Sequence, residues 1–319
     1  TRKTGRDTRT NRVFIDGSAG TTGLRIRERL AARADIELIE LPDALRKDED
    51  ARREAILQAD AAFLCLPDDA ARQAVALAGD ADTVILDAST AHRTAPGWVY
   101  GFPELSASQR AAVAASKRIA VPGCHASGFI ALVRPLVDAG LLPPSAQLTC
   151  HSLTGYSGGG KKMIADYENT QRSGLLGAPR QYGLTQTHKH LPEMQVMGGV
   201  NEAPLFSPIV ADFYSGMEVT VPLFASQLAP GATPEDVKQV YRAAYTGPVV
   251  HFDESADEAG FLSAAALTGK DSMEISVHGN GQRILLTARY DNLGKGASGA
   301  AVQCMNLVLG ADETEGLVL

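Results

Sequence analysis

Short apolar segments alternate with longer segments of helical spacing along the first third of the chain. The apolar segments cover residues 13–15, 36–41, 61–66, 83–87 and 118–121, and the helical segments cover residues 22–32, 50–58 and 68–78. Strand-like segments that alternate with amphipathic helices are typical of parallel βαβ units. The pattern therefore predicts an α/β fold with a doubly wound parallel sheet, in which ligands bind at the carboxyl ends of the strands.

The pattern changes beyond about residue 150, where long strand-like segments become prominent. Residues 218–224, 273–277 and 284–290 are of this kind. The last two flank a glycine-rich turn at residues 279–281, which predicts a β-hairpin. We therefore expect an α+β second domain with a mainly antiparallel sheet.

Residues 297–309 return to helical spacing near the end of the chain. We expect this helix to fold back onto the parallel sheet, so that the domains are discontinuous in sequence. The predicted first domain consists of residues 1–123 and 297–319, and the predicted second domain of residues 124–296. A chain of 319 residues agrees with two domains, because a single core rarely grows beyond about 250–300 residues.

Composition and charge exclude several classes of protein. The chain has 30 Lys and Arg against 37 Asp and Glu, a formal net charge of -7, and no basic block, which argues against nucleic acid and anionic membranes as partners. No segment approaches the roughly 18 apolar residues of a membrane span, and residues 1–12 lack the apolar stretch of a secretory signal. Four widely spaced cysteines form neither a disulfide framework nor a zinc motif. We expect a cytoplasmic protein with reduced thiols and no metal.

A glycine-rich loop with the sequence IDGSAGTTGL follows the first predicted strand. Its glycines have the spacing G-x-x-G-x-x-G instead of the commoner G-x-G-x-x-G. The N–H groups at the start of such a helix bind the pyrophosphate of a dinucleotide, which we favour over a tight turn without a ligand. The residues assigned to the cofactor are Gly17, Ser18, Ala19, Gly20, Thr21, Thr22 and Gly23.

The choice between the two nicotinamide nucleotides depends on residues after the second predicted strand. Glu40 favours NAD, because a carboxylate accepts a hydrogen bond from the ribose 2′-hydroxyl. Arg46 and Lys47 favour NADP, because they can pair with a 2′-phosphate. The residues alone leave both nucleotides open.

One cysteine occupies a position that favours chemistry over packing. Cys124, in the stretch VPGCHASGF, lies where a predicted strand ends and a predicted helix of residues 125–142 begins. The N–H groups and dipole of that helix are expected to lower the pKa of the thiol. We interpret Cys124 as a nucleophile, with a small helix-start residue as the alternative. The other cysteines lie in or beside apolar segments and are expected to pack in cores: Cys65, Cys150 and Cys304.

A cysteine nucleophile needs a proton-transfer partner and an anion contact. The residues alone do not choose among four candidate histidines, His125, His151, His188 and His190. The stretch LDASTAHR ends a predicted strand and offers Ser89, Thr90 and Arg93 to an anion, with a capped turn as the alternative. The stretch TGYSGGGKK offers hydroxyls and lysines on a glycine loop, with a solvated loop as the alternative.

Taken in order, these motifs resemble those of the N-acetyl-γ-glutamyl-phosphate reductases, specifically the shorter form of that family. The resemblance rests on the GxxGxxG loop, the PGC-H-x-x-G stretch, GYSGGGKKM, HKHLPEM and GKGASGAAVQ, and it runs from about residue 12 to the end of the chain. At lower detail the chain is similar to aspartate-semialdehyde dehydrogenase. The resemblance implies a Rossmann-like NADP-binding first domain and a second domain for catalysis, substrate binding and oligomerisation.

The resemblance also implies roles for individual residues. Cys124 corresponds to the family's nucleophile and His190 to its acid–base residue. Longer relatives usually read Ser-Ala-Asp-Phe-Arg where this chain has Ser-Thr-Ala-His-Arg, so the anion contact departs in detail. The other implied contacts are Ser89, Arg93, Ser157 and Gly158 for the substrate, and Lys295 and Gly296 for the nicotinamide end of the cofactor.

The activity implied by the resemblance is NADPH-dependent reduction of N-acetyl-glutamyl 5-phosphate to N-acetyl-glutamate 5-semialdehyde and phosphate, a step of arginine biosynthesis. The reaction is expected to proceed through a cysteinyl thioester. The resemblance also implies a homo-oligomer. Aspartyl phosphate and N-acyl-aminoadipyl phosphate are alternative substrates, because they differ in chain length and substitution but not in reacting atoms. A catalytically silent NADP-binding regulator is the alternative from another class. The presence of Cys124, His190 and Arg93 together argues against that regulator.

Overall fold

The computed structural model describes residues 10–319. Residues 1–9, which belong to the predicted first domain and to the segment expected to lack a secretory signal, lie outside the described residues. The first part of the chain alternates strands and helices: β1 (Asn11–Asp16), α1 (Thr21–Ala31), β2 (Ile36–Ile39), α2 (Glu49–Gln58), β3 (Ala61–Leu64), α3 (Asp68–Ala78), β4 (Val84–Asp87), β5 (Val99–Tyr100), α4 (Ala107–Ala115) and β6 (Arg118–Ala120).

These strands form a parallel sheet in the order β2-β1-β3-β4-β6-β5, which confirms the predicted doubly wound, Rossmann-like fold. Alternate residues of each strand face opposite cores: Val13 packs in one apolar cluster with Ile26, and Phe14 packs in the other with Ile56. Helices cover both faces, so the strands are apolar on both sides. This is why short, continuous apolar segments identified them.

The sequence pattern did not predict two elements of this part of the chain, strand β5 and helix α4. Strand β5 has two residues, which is too short to show a period. Helix α4 is rich in alanine and buries Val113 alone, so it shows no apolar stripe. Its start is nevertheless conventional, because the side chain of Ser106 accepts a hydrogen bond from the backbone N–H of Gln109.

The second part of the chain forms a seven-stranded sheet with helices on one side. Its elements are α5 (Cys124–Asp138), β7 (Thr149–Gly155), α6 (Gly160–Glu168), β8 (Arg180–Gln181), α7 (Leu191–Gly198), β9 (Leu205–Ala211), β10 (Met217–Phe224), α8 (Pro234–Ala244), β11 (Val250–Phe252), β12 (Met273–Gly279) and β13 (Arg283–Tyr290). The chain then continues into α9 (Gly299–Val308), which returns to the parallel sheet. The strand order is β11-β12-β13-β10-β7-β9-β8. The expected hairpin is β12–β13, and the sheet is mainly antiparallel as expected. The pairs β7–β9 and β11–β12 are parallel, a mixture that the sequence pattern did not predict.

Helix α5 crosses the core of the second sheet and carries Cys124 at its first residue. Pro135 inside the helix has no N–H to donate to the carbonyl of Ala131. The hydroxyl of Tyr245 donates to that carbonyl at 2.6 Å, and the hydroxyl of Tyr241 donates to the carbonyl of Leu132 at 2.5 Å. Helix α8 and the residue that follows it therefore complete the hydrogen bonding of α5 and hold it in place.

The C-terminal helix α9 packs on the parallel sheet, where Val302 and Met305 join the same core as Val13. The sequence predicted a single helix over residues 297–309, whereas the structure has a π-helical turn, Gly294–Ser298, before α9. The domain boundaries themselves stay a prediction. Within residues 10–319, no helix is long and apolar enough to cross a membrane.

Candidate active site

A cleft of about 390 Å³ lies where the carboxyl ends of the parallel strands face the second sheet. Thr21 and Thr22 of the glycine-rich loop line one side, and Cys124 lines the floor. The cleft therefore brings together the predicted nucleotide loop and the predicted nucleophile, which are separated by about a hundred residues of sequence. Other lining residues used below are Arg93, His125, Ser157, Gly158, Tyr182, His188, Lys189, His190 and Gly296.

The environment of Cys124 raises the pKa of its thiol, contrary to the sequence expectation. Burial is the largest cause, and the positive charge of Arg93 and the backbone N–H of His125 act in the opposite direction. The helix start thus contributes as expected, but removal of the sulfur from water outweighs it. In the free protein Cys124 is held as a neutral thiol.

The remaining cysteines pack in or against the apolar cores, as predicted. Cys150 and Cys304 are fully buried in the apolar cores, and burial raises the pKa of both thiols, that of Cys304 to about 12. Cys65 is half-buried and packs against the core of the parallel sheet as expected, and it also lines a second small cavity beside Gly20 and Thr21. Burial nevertheless raises the pKa of Cys65 to about 12.

His190 lies at the N-terminus of α7, directly over the turn that carries Cys124. A Cβ placed on Gly123 would lie 2.6 Å from His190 Nε2 and would overlap the guanidinium of Arg93, so glycine is required for this approach. Burial lowers the pKa of His190 well below its ordinary value, and the charge of Arg93 lowers it further. The Nδ1 atom is buried without a hydrogen-bond partner among the described residues. The ring is therefore neutral and able to accept a proton.

The structure separates the four candidate histidines. His125, His188 and His190 form a cluster in the cleft wall, with ring centroids 4.8 to 5.7 Å apart. His151 is exposed, on the opposite face of β7 from the buried Ser152. Strand alternation explains this, because the side chains of neighbouring residues point to opposite faces.

Glu193, a buried residue that the sequence analysis missed, holds Arg93, the candidate for anion binding. One carboxylate oxygen of Glu193 accepts hydrogen bonds from the hydroxyl of Tyr100 and the backbone N–H of Gly123, both at 2.7 Å. The other oxygen accepts from Arg93 at 3.0 Å. Arg93 also donates to the carbonyl oxygens of Val121 and Ala88, so its position is fixed from several sides. The signal in the sequence was the spacing of Glu193 three residues after His190 in HKHLPEM.

Ser89 is not brought together with Cys124. Its hydroxyl donates to the carboxylate of Asp87 at 2.8 Å, and Ser89 does not line the cleft. Thr90 behaves similarly, with its hydroxyl donating to Asp68 at 2.5 Å. Both residues cap the loop after β4, which was the alternative interpretation of that stretch, and only Arg93 of the three reaches the cleft.

The predicted substrate contacts Ser157 and Gly158 both lie in the cleft, whereas only one of the two predicted nicotinamide contacts does. Ser157 and Gly158 line the cleft, and the hydroxyl of Ser157 accepts a hydrogen bond from Asn292 at 2.9 Å. Gly296 also lines it, and a Cβ there would lie 3.2 Å from the Cβ of Cys124. Lys295, however, is turned away and buried, with its ammonium donating to both carboxylate oxygens of Glu104 at 2.9 Å. The structure therefore does not bring Lys295 to the cofactor region.

The glycine-rich loop has the backbone that a pyrophosphate-binding turn requires. Gly17 has a φ of +86°, and a Cβ there would overlap the carbonyl oxygen of Cys65. A Cβ on Gly23 would lie 2.5 Å from the carbonyl oxygen of Gly17. Gly17, Ser18 and Ala19 line a cavity of about 260 Å³, whereas Gly20, Thr21, Thr22 and Gly23 line the small cavity that contains Cys65. The cradle left by the missing side chains fits a dinucleotide at the start of α1.

The residues expected to distinguish the two nucleotides line the same 260 Å³ cavity. The carboxylate of Glu40 is paired with Arg27, whose Nε lies at 2.8 Å and whose terminal nitrogen lies at 2.6 Å. Arg46 and Lys47 also line the cavity, and Arg46 is paired with Asp43 at 2.8 Å. Arg27 was missed by the sequence analysis, because a single arginine on a helix surface carries no distinctive pattern. Within residues 10–319, no cluster of three or more His, Cys, Asp or Glu residues is arranged to hold a metal ion.

Comparison with known proteins agrees with this geometry. The chain matches the family models for the semialdehyde dehydrogenase NAD binding domain over residues 42–113 and the semialdehyde dehydrogenase dimerisation domain over residues 124–292. It is 48% identical over 308 residues to the N-acetyl-gamma-glutamyl-phosphate reductases of Rhizobium meliloti and Brucella ovis, with 94% of this chain and 99% of each relative covered.

The fold is similar to that of solved aspartate semialdehyde dehydrogenases. Enzyme II from Vibrio cholerae, complexed with ASA, has a TM-score of 0.71 at 17% identity, with 95% of this chain and 99% of that chain covered. The enzyme from Candida albicans, with NADP, has a TM-score of 0.64 at 16% identity, with the same coverage. At such low identity these structures establish the fold, and the curated relatives establish the subgroup. The chain belongs to the semialdehyde dehydrogenase family and, within it, to the N-acetyl-γ-glutamyl-phosphate reductases.

Proposed function

We propose that the chain reduces N-acetyl-γ-glutamyl phosphate to N-acetyl-glutamate 5-semialdehyde and phosphate with NADPH, a reaction of arginine biosynthesis. One observation carries the proposal: Cys124, His190 and Arg93 converge around the single turn at Gly123, next to the glycine-rich loop. A nucleophile, a proton acceptor and a cation at one point are what acyl transfer from an acyl phosphate requires.

The first half-reaction transfers the acyl group to Cys124. His190, which is neutral in the free protein, takes the proton of the Cys124 thiol, and the resulting thiolate attacks the acyl carbon. The carbon–oxygen bond to the phosphoryl group then breaks, and phosphate leaves with the bonding electrons and takes its proton from solvent. A thioester remains on Cys124.

The second half-reaction reduces the thioester. NADPH held by the glycine-rich loop would supply the hydride that reduces the carbonyl carbon. The imidazolium of His190 gives its proton to the carbonyl oxygen, which yields a hemithioacetal on Cys124. His190 then takes the proton from that hydroxyl as the carbon–sulfur bond breaks, so the semialdehyde leaves and the thiol and imidazole are restored.

Two cations near Cys124 support binding of an anionic substrate. Arg93 is fixed by Glu193, and its charge is partly balanced by that carboxylate. Lys189 is exposed, lines the cleft and has no ion pair within 4 Å among the described residues. Its positive charge acts on Cys124 and on all three clustered histidines. We assign the phosphoryl group to Arg93 and a further carboxylate or phosphate charge to Lys189.

The proposed nucleotide is NADP. Arg27 occupies the carboxylate of Glu40, so Glu40 is less available to the ribose 2′-hydroxyl that would favour NAD. Lys47 adds a positive charge to this cavity, and the guanidinium groups of Arg27 and Arg46, although paired with Glu40 and Asp43, keep N–H donors for a 2′-phosphate. Titration with NADP⁺ and NAD⁺ tests the assignment, and tighter binding of NAD⁺ would contradict it.

We also propose a homo-oligomer joined through the outer face of the second sheet. Leu205, Phe224 and Leu285 lie on this face and are 57%, 63% and 43% exposed. Strand alternation places them opposite the face that packs against α5 and α8. Sedimentation at micromolar concentration tests the proposal: Phe224→Asp is expected to weaken association, and a monomeric mass for the wild-type chain would refute it.

The decisive assay runs the reaction in reverse. The wild-type chain is mixed with NADP⁺, phosphate and either N-acetyl-glutamate semialdehyde or aspartate semialdehyde, and NADPH formation is followed. We expect the N-acetylated substrate to have the higher kcat/KM, and faster turnover of the aspartate compound would overturn the substrate assignment. Cys124→Ser is the matched control, because it keeps the size of the side chain and is expected to lose several orders of magnitude in kcat.

Thiol labelling tests the nucleophile independently of turnover. We expect iodoacetamide to modify Cys124 before the other three cysteines, because its cleft is open and Arg93 stabilises its thiolate. Acyl phosphate is expected to protect it. Loss of activity in step with modification of Cys65, Cys150 or Cys304 instead would refute the assignment.

A further inference from the structure

His125 is a buried titratable group that the mechanism above does not use. It follows Cys124 in α5, and both ring nitrogens are engaged: Nδ1 lies 2.6 Å from the hydroxyl oxygen of Ser152, and Nε2 lies 2.6 Å from the hydroxyl oxygen of Tyr182. Ser152 is fully buried in β7, whereas Tyr182 lines the cleft beside Cys124. The three side chains form one chain of hydrogen bonds from the core of the protein to the cleft.

The number of hydrogen atoms on Ser152 and His125 determines which group donates in each of these hydrogen bonds. A neutral imidazole has one nitrogen that donates and one that accepts. The hydroxyl of Ser152 is buried, and His125 Nδ1 is the one acceptor within hydrogen-bond distance among residues 10–319. Because a buried hydroxyl without an acceptor is costly, Ser152 donates to Nδ1. The proton of His125 is therefore on Nε2.

The same count fixes the role of Tyr182. His125 Nε2–H donates to the hydroxyl oxygen of Tyr182, so the O–H of Tyr182 does not point back at His125. Within residues 10–319 that hydroxyl has no other hydrogen-bond partner, and Tyr182 lines the cleft. Its O–H is thus directed at whatever occupies the cleft.

We propose that Tyr182 donates a hydrogen bond to the negative charge that forms at the Cys124 reaction centre, first on sulfur and then on the former carbonyl oxygen. Ser152 and His125 are positioning residues, since they fix the direction in which Tyr182 donates. The assignment of the oxygen rests on the proposed function, whereas the assignment of the sulfur does not. Ser152, His125 and Tyr182 keep their protons in this role, so the proton transfers assigned to His190 are unchanged.

The electrostatics of the three groups agree with this role. Burial lowers the pKa of His125 to about 3, so the ring stays neutral and keeps one donor and one acceptor. Burial raises the pKa of Tyr182, and negative charge on Cys124, which lines the same cleft, raises it further. Tyr182 therefore keeps its proton when Cys124 becomes a thiolate, as a hydrogen-bond donor must.

A double-mutant cycle tests the proposal. The variants are Tyr182→Phe, which removes the hydroxyl alone, Ser152→Ala, which releases the tautomer of His125, and the two combined. In the reverse assay we expect Tyr182→Phe to lower kcat roughly 100-fold, as for loss of an oxyanion donor. Ser152→Ala is expected to lower kcat several-fold in the wild-type background and to have no effect in the Tyr182→Phe background.

Three results would overturn the proposal. They are a Tyr182→Phe variant whose kcat is within about threefold of wild type, a Ser152→Ala effect of equal size in both backgrounds, and an increase in the KM for phosphate with unchanged kcat. Nucleotide affinity and thermal melting are measured for each variant, so that misfolding is recognised. Should Ser152→Ala misfold, Ser152→Cys, which keeps a weaker donor, takes its place with a smaller expected loss.

A second measurement separates this proposal from the proposed function. The rate of Cys124 alkylation by iodoacetamide is followed against pH in the absence of any substrate. We expect Tyr182→Phe to shift the midpoint of this profile upward, because the thiolate loses a hydrogen-bond donor. An unchanged midpoint would refute donation to the sulfur even if the enzyme acts on N-acetyl-glutamate semialdehyde, and a shifted midpoint would support it even if that substrate proves wrong.

Discussion

Replacement of Glu193 by alanine is expected to damage both the stability of the fold and the use of phosphate. The carboxylate is 2% exposed and joins Arg93, Tyr100 and the turn at Gly123. Its removal leaves the buried guanidinium of Arg93 without a counter-charge and two donors without an acceptor. Breaking a buried ion pair by removing one partner costs about 3–5 kcal/mol of unfolding free energy.

This cost is measurable by urea denaturation followed through the fluorescence of Trp98, the single tryptophan of the chain. Trp98 stacks on His92 with ring centroids 4.1 Å apart, in the loop that also contains Arg93. At a denaturant slope of about 2–3 kcal/mol/M, the urea midpoint falls by roughly 1–2.5 M. Glu202→Ala is the matched control, because Glu202 is exposed and such a change usually alters stability by less than about 0.5 kcal/mol.

The folded Glu193→Ala protein is then assayed in the reverse reaction for its dependence on phosphate. We expect a higher KM for phosphate in the reverse direction, because Arg93 is no longer held toward Gly123. Glu193→Gln is expected to be intermediate in both measurements, since its amide oxygen can still accept from Tyr100 and Gly123. If the urea midpoint of Glu193→Ala lies within 0.3 M, roughly 1 kcal/mol, of the Glu202→Ala midpoint, the reasoning about the buried pair is refuted.

The remaining predictions concern pH, the nucleotide loop and the buried lysine. Burial lowers the pKa of His125 to about 3 and that of His190 well below its usual value, so the unfolded chain binds two more protons below pH 6.5. The unfolding free energy is therefore expected to fall as the pH is lowered from 6, by about 1.4 kcal/mol per pH unit for each of these histidines that stays neutral in the folded chain; urea melts measure it, and a flat profile would contradict it. Gly17→Ala is expected to abolish NADP⁺ binding in calorimetric titration, because of its φ and its approach to a carbonyl, whereas Gly20→Ala, with 3.4 Å to the nearest heavy atom, retains it. Lys295→Met is expected to lower the melting temperature but to leave the NADP⁺ dissociation constant unchanged, and a weakened nucleotide affinity would restore Lys295 to the cofactor site.

Local signals in the sequence determined most of the fold and the position of Cys124, the proposed nucleophile. The strand-helix alternation, the glycine-rich loop, the hairpin turn and the cysteine at a helix start depend on residues that are near each other in the chain. The corresponding structural constraints are also local, such as the positive φ of Gly17 and the helix start at Cys124. They are therefore visible without knowledge of the rest of the molecule.

The tertiary structure decided which partners these residues have. Glu193 holds Arg93 across 100 positions of sequence, and His125 contacts Tyr182 across 57. Lys295 carried a family expectation of cofactor contact, but the carboxylate of Glu104, 191 residues away, binds its ammonium instead.

Burial is the physical reason for the remaining differences. The helix start at Cys124 predicted a lowered pKa for the thiol, which is wrong because desolvation raises that pKa overall. The same desolvation keeps His190 neutral. Desolvation depends on every group packed around a side chain, most of them distant in sequence. A sequence motif therefore identifies the residues proposed to react, whereas their protonation states and hydrogen-bond directions are set only when the two sheets pack around the cleft.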